Sequence, residues 1–310
     1  MNTGIYDISE SDISMDERYD ERIYEDIYDN DDIYDRMYGI EKESYEDAYA
    51  EMISSIESIG MKKDAGTYRV KKALIMAGGF GTRMKELTDN VPKPMLSLQG
   101  KPILEYSIEL CKRFGISDIA ISIYHFGDKI KEYFGDGTRF GVNIVYVEEK
   151  EPLGTGGALR LFKEWFTEPF MMCNADELKD INLQEMYNHH MMSSSLATIA
   201  LTKVDDPSQY GVVDLQGNQI LKFVEKPPRG EEPSNYINAG LYILEPDAIK
   251  LIPEGFTMVE KDLFPQLAKN GKLNGYKFEG QWFDTGTPQR YAQTEKNWKG
   301  FHELVIKEEV

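Results

Sequence analysis

Leu74-Ile75-Met76-Ala77-Gly78-Gly79-Phe80-Gly81-Thr82-Arg83 carries the first organising signal of this sequence, and Lys93 stands ten residues beyond Arg83 inside Pro92-Lys93-Pro94. The apolar run from Ala73 to Met76 reads as a buried strand. It ends in Gly78, Gly79 and Gly81, where no Cβ holds other groups away from the backbone and positive φ is allowed. Successive N–H groups in such a turn form a concavity suited to phosphate. Arg83 at its exit adds a planar cation that can hold phosphate oxygens through two parallel hydrogen bonds.

The spacing excludes two common phosphate loops. A Walker loop needs Lys and then Ser or Thr after its last glycine, whereas Gly81 is followed by Thr82-Arg83. The dinucleotide fingerprint needs glycine where Met84 stands. A plain glycine turn leaving a buried strand stays open as a reading of this loop by itself. Arg83 and Lys93 argue against it, because a plain turn needs no pair of fixed cations.

Beyond this loop the pattern alternates. Strand candidates fall at 70–76, 118–124, 142–148 and 169–174, with helical patterns at 101–114, 127–134, 156–165 and 181–191. Such alternation predicts an α/β fold with a parallel sheet covered on both faces. Ligands then bind beyond the carboxyl ends of the strands, where the glycine loop and Asp176 both fall. After about residue 194 the runs become β-rich (196–204, 210–214, 219–224, 236–244), which suggests a smaller sheet able to hold a second substrate. Helical patterns at 259–269 and 288–299 follow, with strands between them, and no hexapeptide repeat appears before Val310.

Charge divides the chain differently. Of its net −19, residues 1–60 supply −15, with 19 acidic against 4 basic residues, and the remainder only −4. The later part therefore lacks the basic field that nucleic-acid binding requires. No apolar run approaches membrane-spanning length and the N-terminus is acidic, unlike a secretory signal. Cys111 and Cys173 lie in apolar surroundings and read as core residues, so a reducing cytoplasm is the expected setting. Residues 1–66 form an acidic extension in which Ile-Tyr-Asp/Glu recurs, at Ile5, Ile23, Ile27 and Ile33. That composition predicts a largely disordered tail. Tyr45, Tyr49, Met52, Ile53 and Ile56 recur at helical spacing, so a helix over 42–58 is expected, able to dock on residues 67–310 or on a partner. Translation could begin at Met1 or at Met61.

The glycine loop with Pro92-Lys93-Pro94 resembles the signature of the sugar-1-phosphate nucleotidylyltransferases. The resemblance continues, in family order, through Leu153-Gly154-Thr155-Gly156-Gly157-Ala158, Asn174-Ala175-Asp176, Tyr210-Gly211-Val212-Val213, Phe223-Val224-Glu225-Lys226-Pro227, Asn238-Ala239-Gly240 and Trp282-Phe283-Asp284-Thr285-Gly286-Thr287-Pro288. The run from Tyr210 to Leu244 looks most similar to mannose-1-phosphate guanylyltransferases. The family implies a Rossmann-like mixed, mainly parallel sheet sandwiched by helices, with a smaller β-rich sugar-binding lobe. It implies transfer of a nucleoside monophosphate from an NTP to a sugar 1-phosphate, GTP and mannose 1-phosphate being the first pair to consider. A thymidylyl- or uridylyltransferase for glucose 1-phosphate is the nearest alternative. A non-catalytic regulator that senses nucleotide sugars is the alternative from another class, and self-association into a homo-oligomer is a further option.

Nucleotidyl transfer joins two polyanions, so its site needs backbone donors, fixed cations and a metal rather than a general base. By this resemblance Ala77, Gly78, Gly79, Gly81 and Thr82 cradle the triphosphate, Arg83 neutralises the departing pyrophosphate, and Lys93 reaches the reacting phosphates. Gly154, Thr155 and Gly156 run beside the nucleoside. Gly211, Glu225, Lys226 and Asn238 bind the sugar phosphate. Asp176 and Asp284 each end an apolar strand, a poor place for an unpaired charge, and with phosphate oxygens and water they suit Mg²⁺. Each has a plainer reading: Asp176 as a turn cap, Asp284 as support for its own turn, Lys93 as a surface lysine, Glu225-Lys226 as an exposed ion pair. Most relatives have Gly where this chain has Ala175, which adds one methyl beside Asp176.

Overall fold

The computed structural model describes residues 70–302 except residue 80. The tyrosine repeat, the helix expected over 42–58 and both candidate start sites lie outside the described residues.

The first strand, β1 (Lys72–Met76), shows why both faces of the sheet are covered. Ala73 and Ile75 point into one apolar cluster and Leu74 into another, as the two-residue period of a strand requires. A short hairpin of β2 (Ser97–Leu98) and β3 (Lys101–Pro102) leads into helix α1 (Ile103–Arg113). Strand β4 (Asp118–Ile123), helix α2 (Gly127–Phe134), strand β5 (Asn143–Glu148) and helix α3 (Gly154–Arg160) follow. Strand β6 (Phe170–Asn174) and the short β7 (Glu177–Lys179) precede helix α4 (Leu183–Met191), whose Asn182 cap accepts from the Gln184 and Glu185 amides. The second half supplies β8 (Ala197–Lys203), β9 (Gly211–Gln216), β10 (Gln219–Glu225) and β11 (Tyr236–Leu244). Helix α5 (Phe264–Lys269), β12 (Leu273–Lys277), β13 (Trp282–Asp284) and helix α6 (Pro288–Asn297) complete the described chain.

Nine strands form one sheet in the order β5-β4-β1-β6-β11-β8-β12-β10-β9. Among the described residues β10 and β11 run against the other seven, so the sheet is mixed, as expected, with four parallel and five antiparallel pairings. The expectation of a separate smaller sheet after residue 194 is corrected. Strand β11 pairs with β6 on one side and β8 on the other, so the β-rich lobe continues the first sheet. The buried residues of β11, Leu241 to Leu244, explain this: both faces are apolar, which suits a central strand and not a lobe's edge.

Helices α1, α2 and α4 cover one face through Leu104, Ile108, Ile130, Phe134, Leu183 and Met186. The other face is closed by Leu159 of α3, by Phe162 and Phe166, and by Phe264 and Leu267 of α5. A third cluster seats Trp298 against Leu98, Tyr106 and Leu178, fixing the chain after α6 beside the β7/β13 pair. Cys111 and Cys173 are buried and unpaired in the first cluster, as read from the sequence. The strand order reverses at β1: β4 lies to one side and β6 to the other. A crevice opens at the carboxyl ends there, where α/β sheets bind ligands.

Candidate active site

A cavity of about 460 Å³ fills this crevice. Ala77, Gly78, Gly79, Gly81 and Arg83 line it from the first loop, Lys93 and Pro94 from the Pro-Lys-Pro turn, Gly154 and Thr155 from the second loop, and Asn174 and Asp176 from the end of β6. A smaller cavity of about 190 Å³ is lined by Gly211, Glu225, Lys226, Asn238 and Asp284, with Tyr210 and Arg290. Arg83, Asn174, Asp176, Glu260 and Gly286 line both cavities. The two cavities therefore meet at one guanidinium and two carboxyl groups, those of Arg83, Asp176 and Glu260.

The first loop gives an open backbone surface. A Cβ on Gly79 would meet nothing within 4 Å, whereas one on Gly78 would come 2.8 Å from Glu149 Oε1. Glu149 is buried and ties the end of β4 to the second glycine loop, accepting from Ser122 Oγ at 2.7 Å and from the Leu153 amide at 3.0 Å. Residues Thr82–Met84 form a single 3₁₀ turn that aims the chain away from the loop; the side chain of Thr82 lies outside the described set. Arg83 is exposed and lies against Gly286, with no carboxylate partner among the described residues.

Lys93 is 7% exposed, held in a 3₁₀ turn between Pro92 and Pro94. A buried ammonium needs a partner, and Asp176 Oδ2 stands 2.5 Å from Lys93 Nζ. Burial would raise the Asp176 carboxyl, but the Lys93 charge and hydrogen bond, aided by Lys179, outweigh it and hold the group below its ordinary value. Asp176 still keeps about a third of its side chain, 37%, open to the cavities. Ala175 is enclosed in the core and its amide bonds to Met76 O at 3.1 Å, so the extra methyl packs inward and leaves the strand end regular.

Asp284 belongs to β13 and lies opposite Glu177 of β7, one residue beyond Asp176. The Thr285 hydroxyl donates to Asp176 O at 2.7 Å, which fixes the two acidic turns side by side. Asp284 is nearly buried and fully engaged: Arg290 Nη1 at 2.8 Å and Tyr210 OH at 2.7 Å reach Oδ2, and the Gly286 amide reaches Oδ1 at 2.5 Å. Helix α6 delivers Arg290, because Thr287 caps its first turn by accepting from the Arg290 amide and Pro288 starts it. Glu177 is gripped by Asn174 Nδ2 at 2.9 Å and Trp282 Nε1 at 3.2 Å. Burial raises its carboxyl and the charges of Asp176 and Asp284 add to this, against the opposing pull of Lys179 and Asn174.

In the smaller cavity, Gly211 has no room for a side chain: a Cβ would lie 2.4 Å from Phe223 Cζ and 3.0 Å from Glu225 Oε2. Lys226 Nζ pairs with Glu225 Oε1 at 2.5 Å, and Lys226 holds a left-handed φ of 49°. A lysine there is strained, the kind of backbone that concentrates in binding sites. The Asn238-Ala239-Gly240 motif is a break in the β11 ladder, where pairing with β8 lapses between Asn238 and Tyr242. Gly240 has φ 61°, and a Cβ there would meet Glu177 at 2.4 Å. Asn238 donates to Tyr242 OH and accepts from the Gly240 amide, both at 2.9 Å, which orients its amide in the cavity wall.

One expected nucleotide contact is placed elsewhere. Gly156 does not line either cavity; its amide donates to Thr257 O at 2.9 Å, and a Cβ would meet Thr257 Oγ1 at 2.8 Å. It serves loop packing. Several wall residues were not singled out from the sequence, among them Glu149, Glu177, Tyr210, Phe256, Glu260 and Arg290. Tyr210 and Arg290 stand within or just after quoted motifs, so position beside Gly211 and Pro288 was an available signal. Glu260 opens the turn of wide helix Val259–Leu263 and accepts from Thr155 Oγ1 at 2.7 Å. Burial raises its carboxyl, with the Thr155 bond opposing. Nothing in the local pattern distinguishes it from a surface glutamate.

No group of three or more His, Cys, Asp or Glu among the described residues is arranged to hold a metal by itself. The donor set fits Mg²⁺ in another way. Mg²⁺ is ordinarily held by one or two carboxylates with phosphate oxygens and water completing the shell, and Asp176 offers an open carboxylate at the cavity junction.

Residues 72–299 match the family model described as Nucleotidyl transferase. The chain is 39% identical over 226 residues to the mannose-1-phosphate guanylyltransferase catalytic subunit beta of Xenopus tropicalis, covering 71% of this chain and 62% of that protein. It thus spans less than two thirds of that curated relative. Among solved structures, HddC from Yersinia pseudotuberculosis complexed with GMP-PN superposes with a TM-score of 0.64 at 27% identity, over 74% of this chain and all of that one. UDP-glucose pyrophosphorylase complexed with UDP-glucose gives 0.64 at 25% identity, over 73% and 97%.

Proposed function

We propose that this chain, which belongs to the nucleotidyl transferase family, moves a nucleoside monophosphate from an NTP onto a sugar 1-phosphate, with GTP and mannose 1-phosphate as the pair. The observation that carries the reading is the junction of two cavities at Arg83 and Asp176. The guanylyltransferase relative at 39% identity supports the substrate pair.

The larger cavity takes the triphosphate, with the amides of the first glycine loop facing its phosphates. The smaller takes the sugar phosphate: Glu225 accepts from sugar hydroxyls, Lys226 faces the phosphate, and Arg290 lends a second cation. A sugar-phosphate oxygen forms the new bond to the α-phosphorus while the bond from that phosphorus to the bridging oxygen breaks. The electron pair leaves with pyrophosphate, and no proton need move. Arg83 and Lys93 offset charge that builds on the phosphates, a preorganised contribution in a partly dry cleft. Asp176 would hold Mg²⁺ beside them, and Asp284, both of whose oxygens are hydrogen-bonded, would join it by exchanging one of those bonds for the ion. That ion supplies charge neutralisation and alignment of the two phosphates. The buried, unpaired cysteines are compatible with a reducing cytoplasmic setting.

The test is pyrophosphate release from a matrix of NTPs and sugar 1-phosphates with Mg²⁺. A single strong response with GTP and mannose 1-phosphate is expected. A strong response from UTP or dTTP with glucose 1-phosphate would replace the pair and keep the reaction. Nucleotide-sugar binding without turnover would replace catalysis with sensing.

A further inference from the structure

Phe256 exposes 65% of its surface, more than any other large apolar side chain among the described residues. It also lines the larger cavity, beside Pro152 and Gly154. A ring in that position needs either a partner or a reason to stay in water.

The backbone that carries the ring is rigid. The Thr257 amide donates to Leu153 O at 2.9 Å, and Thr257 O accepts from the Gly156 and Gly157 amides at 2.9 and 3.3 Å. Gly154, at φ 72°, lies so close that a Cβ there would come 2.3 Å from Thr257 O and 3.4 Å from Phe256 Cε2. The second glycine loop is therefore shaped around residues 256–257, and the ring edge rests over Gly154. This also gives Gly156 and Gly157 a use: they bind the loop that presents the ring.

Position within the cavity supplies the ligand. Arg83, Asn174, Asp176, Glu260 and Gly286 form the wall shared with the smaller cavity, where phosphates must meet for transfer to occur. Pro152, Gly154 and Phe256 belong to the larger cavity alone. A nucleoside triphosphate whose phosphates reach from the first glycine loop to the shared wall leaves its base for the part of the larger cavity lined by Pro152, Gly154 and Phe256. We infer that the Phe256 ring packs on the nucleobase, making Phe256 a base-binding residue of the nucleotide site, an inference that rests on the nucleotidyl-transfer reading. Because every base has a π face, the contact strengthens nucleotide binding without choosing among bases.

The test is calorimetric titration, with Mg²⁺, of GTP, UTP and inorganic tripolyphosphate into the full chain and into Phe256→Ala and Phe256→Trp. The ring is exposed, so both variants should keep the wild-type melting temperature. Wild type should bind GTP and UTP more tightly than tripolyphosphate. Phe256→Ala should weaken both nucleotides about tenfold and leave tripolyphosphate unchanged, the size of one lost base-aromatic contact. Phe256→Trp should keep nucleotide affinity, with indole fluorescence quenched by nucleotide and not by tripolyphosphate. Unchanged nucleotide affinity in Phe256→Ala, or equal losses for all three ligands, would overturn the role of Phe256 while leaving the nucleotidyl-transfer reading intact. Wild-type chain that binds neither nucleotide would overturn the nucleotidyl-transfer reading itself.

Discussion

Lys93 Nζ lies 2.5 Å from Asp176 Oδ2, joining two turns that are 83 residues apart in sequence. The pair closes the junction between the two cavities. Its lysine is buried while its carboxylate keeps 37% of its surface open, so one partner is structural in setting and the other is presented to ligand.

Asp176→Asn should therefore lower turnover by roughly 10²-fold or more, the usual cost of removing one preorganised charge. Lys93→Met should lose at least as much turnover and leave a carboxylate without its cation. Combining the two should cost much less than the product of the single effects, since both act on one pair. Pyrophosphate-release kinetics on the three variants decides this; strictly multiplicative losses would separate the two residues.

The same pair sets an acid limit. The Asp176 carboxyl is held below 3.8 in the folded state, so its stabilising contribution is present above about pH 4 and is lost as pH falls through the folded value. His189 acts earlier. Burial, with the neighbouring His190, pushes its imidazole down to about 4 from 6.5, and its buried Nε2 has no hydrogen-bond partner among the described residues. Between these values the unfolded chain binds the proton more readily, so stability falls as pH drops from about 6.5 to 4, by at most about 3 kcal/mol. Urea unfolding at pH 7 and pH 4.5 should show this loss in wild type and a smaller one in His189→Gln.

Glu260 has the opposite sign. Burial raises its carboxyl above 4.5, so the folded state resists ionising it and wild-type stability is lost as pH rises from 4.5 through the folded value. Glu260→Gln keeps an acceptor for Thr155 and removes this loss. The variant should gain stability relative to wild type between pH 4.5 and pH 7, measured by the same unfolding series.

Gly154→Ala should be among the most damaging single-methyl additions. Its φ of 72° disfavours a side chain, and the added carbon would lie 2.3 Å from Thr257 O, a backbone atom that cannot swing aside. A loss of about 2 kcal/mol or more is expected, with weakened nucleotide binding. Thermal unfolding and nucleotide titration check both parts.

Arg290→Met should leave Asp284 with Tyr210 and the Gly286 amide as its remaining partners. Breaking a fully buried ion pair costs about 3–5 kcal/mol; Arg290 keeps 28% of its side chain exposed, so the loss here should fall at or below the lower end, and the KM for sugar phosphate should rise more than kcat falls. A change confined to the KM for nucleotide would instead place Arg290 in the larger cavity.

Much of this molecule was legible in the sequence because its signals are local. The continuous apolar run of Ala73, Leu74 and Ile75, the alternation of strand and helix, and the glycines after Met76 follow from backbone geometry within a few residues. The acidic N-terminal composition is likewise a property of the chain alone. What only the tertiary structure decided is how distant segments combine. The insertion of β11 between β6 and β8 turns a separate sheet into a continuation of the first. Asp284 becomes enclosed because a helix cap 3 residues later aims Arg290 back at it. Glu149, Glu177 and Glu260 enter the site through contacts made in space, and Gly156 leaves it because Thr257 takes its amide. Local propensity fixes elements and turns; charge partners and cavity walls depend on which surfaces packing brings together.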